Sequence, residues 1–336
     1  MRILVTNNSD LIGSNLVEHL LNFGHTVYSM DNLSTGDERN ISQRARKNFY
    51  KVDLRRKDMV NLIMRIARPE IVFHCAEWGC GRLSQFTPNL ILENNLNASM
   101  NILVASIKQG VKRIVFTSSV AIYGDQKSPF TEDMLGKPVS IYGITKYGFE
   151  VTLKIMSKVF GFEYVIVRPH NVYGPNMALS DPYCQVVGIF MNRILQDKPI
   201  YIYGDGNQKQ VSSYVGDFIP ALAKCGFLKE ARNETFNIGA DKLYSINELV
   251  ETVMKVSGKK VEVKYIEDRS TEVDFAWCNN DKAKKILGFE DKTSLEEGIR
   301  KSWMWVKERG KQEMKYLPFL ELVNQTTPKM WVEKLL

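Results

Sequence analysis

The sequence predicts an α/β fold in which a doubly wound parallel sheet carries a smaller mixed α/β lobe in the C-terminal half. Short apolar strand-like segments recur through the first half, amphipathic helical segments lie between them, and this alternation loosens after about residue 175. Parallel strands buried on both faces are nearly continuous in apolar residues, and strands that alternate with helices imply right-handed crossovers. We therefore predict a sheet domain over residues 1–175, to which some later segments return, and a smaller lobe with a C-terminal tail over residues 176–336.

The strands and helices are predicted by local patterns, taken here in chain order. Strands are expected near residues 3–5, 26–28, 49–52, 71–73, 114–116 and 165–167. Apolar side chains share one face over residues 12–21 and again over residues 92–107, and Gly24 and Gly110 are typical of helix C-termini. In the smaller lobe, Ser245 with Glu248 and Ser294 with Glu297 predict two helix starts.

Composition excludes several classes of protein. The chain has 336 residues, of which 44% are hydrophobic and 25% are charged, which is typical of a globular protein. No apolar run approaches the ~20 residues of a spanning helix, and the polar N-terminus does not resemble a signal peptide. The five scattered cysteines predict reduced thiols and a cytoplasmic location, without a metal site. The net charge of +7 is dispersed along the chain, so neither nucleic acid nor a membrane is expected as a partner.

Ligands of open parallel sheets bind beyond the carboxyl ends of the strands, so the residues that follow each strand are candidates for a site. Asp31 follows the second strand. A carboxylate there can accept hydrogen bonds from both ribose hydroxyls of an adenosine and would repel a 2′-phosphate, which favours NAD over NADP. Asp53 follows the third strand and could meet the adenine edge. Aspartate also occurs in turns that bind nothing, so this alternative stays open for both.

Ser119, Tyr142 and Lys146 form the strongest catalytic candidate. Tyr142 and Lys146 are four residues apart and share a helix face. Tyrosine has a reference pKa of ~10, and lowering it by ~3 units requires roughly 4 kcal/mol of stabilisation of the phenolate, which a lysine and a cationic nicotinamide could supply. Ser119 could polarise the same substrate oxygen. The alternative is an ordinary exposed helix pair, since the spacing also occurs by chance, as Tyr123 and Lys127 show in a predicted turn.

A series of ordered motifs then carries a resemblance over nearly the whole chain. They are Ile3-Leu4-Val5-Thr6 with Leu11-Ile12-Gly13, the segment 31–36, Phe73-His74-Cys75-Ala76, Phe116-Thr117-Ser118-Ser119, Tyr142-Gly143-Ile144-Thr145-Lys146, and the segment 168–175. With these motifs the sequence resembles the extended short-chain dehydrogenase/reductases, specifically the nucleotide-sugar epimerase/dehydratase family, whose best-known member is UDP-galactose 4-epimerase. The resemblance implies a Rossmann-type domain and a nucleotide-sugar-binding lobe.

The resemblance implies NAD as the cofactor and assigns site residues. Those expected to bind NAD are Leu11, Ile12, Gly13, Asp31, Asn32, Ser34, Thr35, Gly36, Asp53, Leu54, Cys75, Ala76, Asn95, Tyr142, Lys146 and His170. Ser119, Asn171 and Arg269 are expected to contact the substrate. Glu77 and Arg82 follow the fourth strand near any sugar site, where substrate contact and plain loop packing are both open.

The implied reaction is epimerisation of a nucleotide sugar at C4 through a transient 4-keto intermediate, with a UDP-hexose as the expected substrate. Tyr142 is the expected base, Lys146 lowers its pKa, and Ser119 polarises O4. Val120 and Ala121 stand where dehydratases of the family carry acids, which favours simple epimerisation. The resemblance also implies a homodimer formed by the helical segments 92–107 and 142–159, and the alternative that these helices simply cover the sheet stays open.

Three positions depart from the family pattern. Asn7 and Asp10 replace glycines of the phosphate-binding turn, and Gln210 replaces an arginine that grips the substrate diphosphate. Asparagine tolerates positive φ, but a carboxylate ~4 Å from a phosphate at an effective dielectric of ~20 costs on the order of 4 kcal/mol, roughly a thousandfold in affinity. A sugar-nucleotide-binding protein with impaired cofactor binding, or a reductase or dehydratase of the same family, therefore remains an alternative.

Overall fold

The central sheet has seven parallel strands and is covered by helices on both faces. The structure, a computed structural model, describes residues 1–267 and 275–336. The sheet strands are β1 (Arg2–Thr6), β2 (Thr26–Asp31), β3 (Phe49–Lys51), β4 (Ile71–His74), β5 (Arg113–Thr117), β6 (Glu163–Pro169) and β11 (Glu234–Ile238). Their order across the sheet is β11-β6-β5-β4-β1-β2-β3, which confirms the predicted doubly wound α/β class.

The remaining strands are short and belong mainly to the smaller lobe. They are β7 (Val172–Tyr173), β8 (Ile200–Tyr203), β9 (Lys209–Val211), β10 (Ser213–Tyr214), β12 (Leu243–Ser245), β13 (Val263–Ile266) and β14 (Phe275–Ala276). They pair as β10-β7, β12-β9-β14 and β13-β8. The seventh strand of the large sheet, β11, comes from the C-terminal half of the chain and pairs with β6 in parallel.

Twelve α-helices lie within the described residues. They are α1 (Leu11–Asn22), α2 (Gln43–Arg46), α3 (Lys57–Ala67), α4 (Pro88–Ile91), α5 (Ala98–Lys108), α6 (Ile141–Phe160), α7 (Val186–Leu195), α8 (Val215–Cys225), α9 (Ile246–Ser257), α10 (Asp281–Leu287), α11 (Leu295–Arg309) and α12 (Lys329–Val332). Ser245 and Glu248 form the predicted capping box of α9, and the Ser294 side chain accepts a hydrogen bond from the Glu297 N–H at the start of α11.

The sheet separates two hydrophobic clusters because successive side chains of a strand point to opposite faces. In β1, Ile3 and Val5 belong to one cluster and Leu4 belongs to the other. Strands β4 and β5 are buried along their whole length, which explains their nearly continuous apolar sequences. The chain order reverses between β1 and β4, and such a reversal opens a crevice at the carboxyl ends of the strands.

One predicted helix differs in its first turns. Residues 92–107 were expected to form one regular α-helix, but Leu92–Asn97 is a π-helical turn that precedes α5. The wider turn places the buried Asn95 where its side chain reaches Trp78 instead of the helix surface. Single π-helical turns of this kind are frequent at functional sites.

No helix in the described part of the chain is long and apolar enough to cross a membrane. Within residues 1–267 and 275–336, the His, Cys, Asp and Glu side chains form no group of three or more that could hold a metal ion.

Candidate active site

A cavity of about 590 Å³ lies beyond the carboxyl ends of the sheet strands and extends to the smaller lobe. We call it the active-site cavity. Its lining includes Asp10 after β1, Glu77 after β4, Ser119 after β5, His170 after β6, and Tyr142 on α6. The loops that follow four different strands therefore meet at one place, as the sheet topology requires.

The structure brings together the three predicted catalytic residues. The Ser140 side chain caps α6 by accepting a hydrogen bond from the Gly143 N–H at 3.1 Å, so Tyr142 and Lys146 both lie in the first two turns of this helix. Lys146 is buried and its Nζ donates to the Thr117 carbonyl at the end of β5 at 2.8 Å. The Ser119 hydroxyl is hydrogen-bonded to Tyr142. Lys146 Nζ also lies 5.7 Å from the centroid of the Tyr142 ring, so the three predicted side chains lie close together.

The pKa of Tyr142 differs from the prediction in its direction. Burial, followed by the negative charge of Glu77, raises the pKa of Tyr142 well above its ordinary value, and the hydrogen bond with Ser119 only partly offsets this rise. Lys146, the residue expected to lower this pKa, is ion-paired with the Glu77 carboxylate. The positive charge of Lys146, which was expected to stabilise a Tyr142 phenolate, is therefore compensated by the carboxylate of Glu77. The sequence pattern did not connect Glu77 with Tyr142 and Lys146.

The loop after β4 places Glu77 against the catalytic pair. The Tyr142 hydroxyl donates to Glu77 Oε2 at 3.1 Å. Asn95 was expected to contact the cofactor, but its side chain holds the backbone of this loop by accepting from the Trp78 N–H at 2.7 Å and donating to the Trp78 carbonyl at 3.2 Å. Arg82, the other candidate of this loop, lines the active-site cavity.

An acidic side chain of the protein, Asp10, lies at the start of α1. Asn7 has a φ of 69°, as expected of a residue that replaces glycine there. The Asp10 carboxylate caps the helix by accepting from the Leu11 N–H at 2.7 Å, where the positive end of a helix favours negative charge. Burial raises the pKa of Asp10 to about 6, and the charges of Asp31 and Glu77 add to this rise. The departure noted in the sequence therefore lies where a diphosphate would bind.

The segment expected to bind the adenosine ribose is folded around Asp31. This carboxylate accepts from the Ser9 N–H and the Ser9 hydroxyl, both at 2.7 Å, and from the Leu33 N–H at 2.8 Å. Asn32 Oδ1 accepts from the Ser34 N–H at 3.0 Å. Gly36 packs so closely that a Cβ there would lie 2.2 Å from Ser9 Oγ.

Other predicted NAD contacts have partners within the protein. Thr35 and Gly36 line a second, smaller cavity of about 340 Å³. Asp53 is ion-paired with Arg55, and this hydrogen-bonded partner lowers the pKa of Asp53. Leu54 is buried in the core. The N–H groups of Cys75 and Ala76 both donate to Thr6 Oγ1, at 3.0 and 2.9 Å.

The loop after β6 contributes one cofactor candidate and one substrate candidate. His170 is buried, burial lowers the pKa of its imidazole to about 4, and its Nδ1 has no hydrogen-bond partner among the described residues. Asn171 has a φ of 41° and donates from Nδ2 to Gln210 Oε1 at 2.9 Å. Arg269, predicted to contact the substrate, lies outside the described residues.

NAD fits the residues at both ends of this crevice. Gly13 forms the close approach of α1 to the turn after β1, since a Cβ there would lie 2.0 Å from the Asn7 carbonyl oxygen. At the other end, the unpartnered Nδ1 of buried His170 and the Tyr142–Lys146 pair belong to the same region, in which a polar ligand atom can satisfy the imidazole. Asp10 lies between these two ends of the crevice.

Comparison with known proteins identifies the family. A family model described as the NAD dependent epimerase/dehydratase family matches residues 3–239, which is more than half of the chain. The chain belongs to this family. Its membership confirms the resemblance, the Rossmann-type fold and the NAD-dependent enzyme class that were predicted from the sequence.

The chain is similar over most of its length to 4-epimerases. It is 34% identical to a putative UDP-glucose 4-epimerase of Methanocaldococcus jannaschii, over 92% of this chain and 99% of that protein. It is 30% identical to a UDP-glucuronate 4-epimerase of Thermodesulfobacterium geofontis, over 91% of this chain and 96% of that protein. The crystal structure of UDP-glucose 4-epimerase from Thermotoga maritima with UDP-glucose superposes with a TM-score of 0.86 at 34% identity, covering 92% of this chain and 99% of that chain. The Thermus thermophilus UDP-glucose 4-epimerase with NAD gives a TM-score of 0.85 at 32% identity, covering 91% and 98%.

Proposed function

We propose that this chain interconverts UDP-hexoses at C4 through a transient 4-keto sugar. The observation that carries this proposal is the proximity of three side chains: Ser119 and Tyr142 line the active-site cavity, and Lys146 Nζ lies 5.7 Å from the centroid of the Tyr142 ring. Relatives that cover nearly the whole chain are named as 4-epimerases of UDP-glucose and UDP-glucuronate, which supports the same reaction class and a UDP-sugar substrate.

The residues of the site divide the chemistry among them. The Ser119 hydroxyl polarises the C4 oxygen, and Tyr142 receives the proton of the C4 hydroxyl group. When bound, NAD would supply the acceptor for the C4 hydride and the hydride for the return step, and would thus behave as a prosthetic group. Lys146, fixed by the Thr117 carbonyl, places its positive charge beside this proton transfer.

The residues that would hold NAD follow from the crevice. The N-terminus of α1 and Gly13 would face the diphosphate, and Asp31 would share its carboxylate between Ser9 and a ribose hydroxyl. Lys146 and the unpartnered Nδ1 of His170 would hold the nicotinamide half. The contribution of these groups would be to bind the cofactor and to orient its nicotinamide half toward Tyr142.

Epimerisation is favoured over dehydration by the turn after β5. Ser119 caps a 3₁₀-helix, Val120–Tyr123, by accepting from the Ala121 N–H at 3.1 Å. Val120 and Ala121, at the two positions where family dehydratases have acids, both line the active-site cavity. Neither side chain can remove or donate a proton, so they support no elimination of water.

An exposed apolar stripe on α6 supports a homodimer, which we place in the cytoplasm. Ile144, Val151, Ile155 and Val159 recur at helical spacing, and each is between 41% and 67% exposed. A second copy of this helix would cover the stripe. We expect the Ile155→Lys variant to be monomeric in light-scattering measurements while its far-ultraviolet spectrum is unchanged, and a parent protein that is itself monomeric would contradict this assembly.

The function is tested on the purified protein. Heat-released nucleotide is identified by mass spectrometry, and conversion of UDP-glucose to its C4 epimer is followed by nuclear magnetic resonance, with UDP-glucuronate and UDP-N-acetylglucosamine as alternative substrates. We expect NAD to be released and one of these sugars to be epimerised. Binding of a UDP-sugar without NAD binding or turnover at saturating NAD would instead indicate a sugar-nucleotide-binding protein.

A further inference from the structure

Glu77 lies between the two members of the catalytic pair. One oxygen of its carboxylate, Oε2, accepts the Tyr142 hydroxyl at 3.1 Å and forms the ion pair with Lys146. The Tyr142 side chain is buried and the Lys146 side chain is only 2% exposed, so both contacts are shielded from bulk water. A carboxylate that shares one oxygen with the catalytic phenol and the catalytic amine is in a position to receive a proton.

The surrounding chain holds this carboxylate in place. Asn95 fixes both backbone polar groups of Trp78, the residue that follows Glu77. Gly79 leaves the room that the side chain occupies, since a Cβ there would lie 2.9 Å from Glu77 Oε1. The Glu77 side chain remains 23% exposed toward the active-site cavity. The position of Glu77 is therefore built by Trp78 and Gly79 of the loop and by Asn95 of the π-helical turn.

The charged groups around Tyr142 keep its phenol protonated. Glu77 contributes a negative charge and Lys146 contributes a positive charge that the same carboxylate compensates. Cys184, from the segment before α7, is the other titratable group that acts on Tyr142, and burial raises the pKa of its thiol well above the ordinary value, so it is neutral. A neutral phenol can accept a proton from substrate only if it passes its own proton to another group.

We propose that Glu77 is the proton acceptor behind Tyr142, so that the phenol relays the substrate proton instead of acting as a free phenolate. This inference rests on the proposed epimerase function. During oxidation the O–H bond of the C4 hydroxyl breaks and a new O–H bond forms on Tyr142. At the same time the original Tyr142 O–H bond breaks and an O–H bond forms on Glu77 Oε2. The C4 hydride leaves with its electron pair to nicotinamide, and reduction reverses every transfer.

Lys146, Ser119 and Glu77 each have a distinct function in this relay. Lys146 stabilises the carboxylate while it is charged, and its ion pair is weakened when the carboxylate receives the proton. Ser119, which does not titrate, holds the shared phenol oxygen toward the substrate. Glu77 acts through Tyr142 and is therefore a positioning residue, whose removal changes the pH dependence of the reaction and not only its rate.

The test compares pH profiles of kcat in the holoenzyme. The parent should keep a nearly constant kcat from about pH 6 to about pH 9, whereas Glu77→Gln should depend on the phenolate and lose about tenfold per pH unit below the pKa of Tyr142. Glu77→Asp keeps a carboxylate and should keep the flat profile. Glu290→Gln removes an exposed carboxylate far from this loop in the sequence and is the matched control, with the parent profile expected. Glu77→Ala gives the same comparison if Glu77→Gln does not fold.

A second measurement does not depend on turnover. The tyrosinate absorbance of the parent and of Glu77→Gln is measured against pH without substrate. Subtracting the absorbance of the same protein with Tyr142→Phe gives the ionisation of Tyr142 alone. Removal of the Glu77 charge should lower the pH at which Tyr142 ionises. Identical ionisation or identical pH profiles in the parent and Glu77→Gln would overturn the relay. A third result is that the ionisation of Tyr142 differs between the parent and Glu77→Gln, but the parent converts no nucleotide sugar. This result would overturn the proposed function and the relay with it, while the electrostatic coupling of Glu77 and Tyr142 would stand.

Discussion

Replacing Asp10 by asparagine removes one negative charge from the N-terminus of α1 and keeps an oxygen that can accept the Leu11 N–H. The pKa of Asp10 is raised to about 6, mainly by burial, so the carboxyl is mostly charged at neutral pH and mostly neutral in mild acid. The diphosphate of NAD should prefer the neutral form. Because this pKa is raised, the fraction that can bind NAD falls as the pH rises through it.

The magnitude follows from that fraction. If only the neutral form accepts the diphosphate, the Kd for NAD should be about fiftyfold weaker at about pH 8 than at about pH 6. The repulsion sets an upper limit of roughly a thousandfold, from ~4 kcal/mol at ~4 Å in an effective dielectric of ~20. Asp10→Asn should therefore bind NAD about a hundredfold more tightly than the parent at about pH 8 and should lose the pH dependence.

The assay is titration calorimetry with NAD at both pH values. Asp10→Gly should behave like Asp10→Asn, since glycine at a helix N-cap costs only a few tenths of a kcal/mol. Asp58→Asn removes an exposed carboxylate elsewhere and serves as the control for net charge. A parent Kd that is equal at the two pH values, or an asparagine variant that binds no more tightly at the higher pH, would show that the carboxylate stays away from the diphosphate.

Three further substitutions test the site and the fold. Tyr142→Phe should lower epimerase turnover by at least about a hundredfold while the calorimetric Kd for NAD stays nearly unchanged, and full activity in this variant would contradict the proposed proton transfer. Glu150→Gln should lower the free energy of unfolding in denaturant titrations by about 3–5 kcal/mol, because buried Arg168, which donates to the Glu150 carboxylate at 3.0 and 2.7 Å, would lose this negatively charged partner. The double variant Glu150→Leu with Arg168→Met should regain much of this loss. Gly13→Ala should lower the melting temperature and weaken NAD binding, since its Cβ would lie 2.0 Å from the Asn7 carbonyl oxygen, and an unchanged melting curve would show that the turn can open.

The parts of the fold that the sequence predicts are those set by local patterns. The apolar runs at residues 71–73 and 114–116 are the buried strands β4 and β5, because a strand covered on both faces has no polar side to display. The four-residue spacing of Tyr142 and Lys146 places them on one helix face, because the period of the helix is 3.6 residues. Their proximity to Ser119 follows from the common edge of parallel strands.

Contacts between distant segments were not predictable in this way. Asn95 was assigned to the cofactor, yet its amide fixes Trp78, seventeen residues earlier in the chain. Glu77 was left between substrate contact and loop packing, and its bond to Tyr142 joins residues that are 65 positions apart. No periodicity connects such pairs, since they meet only after the sheet has brought the ends of its strands together.

The amino-acid sequence alone determined the alternation of strands and helices, the shared face of the catalytic phenol and amine, and the acidic residue at the first phosphate-binding turn. These features depend on neighbours within a few positions. The tertiary structure decided the charge around the phenol, because burial and the carboxylate from the loop after β4 act through space. The sequence predicts that a lysine and a bound nicotinamide lower the pKa of Tyr142, whereas the fold adds burial and the charge of Glu77, which both raise this pKa.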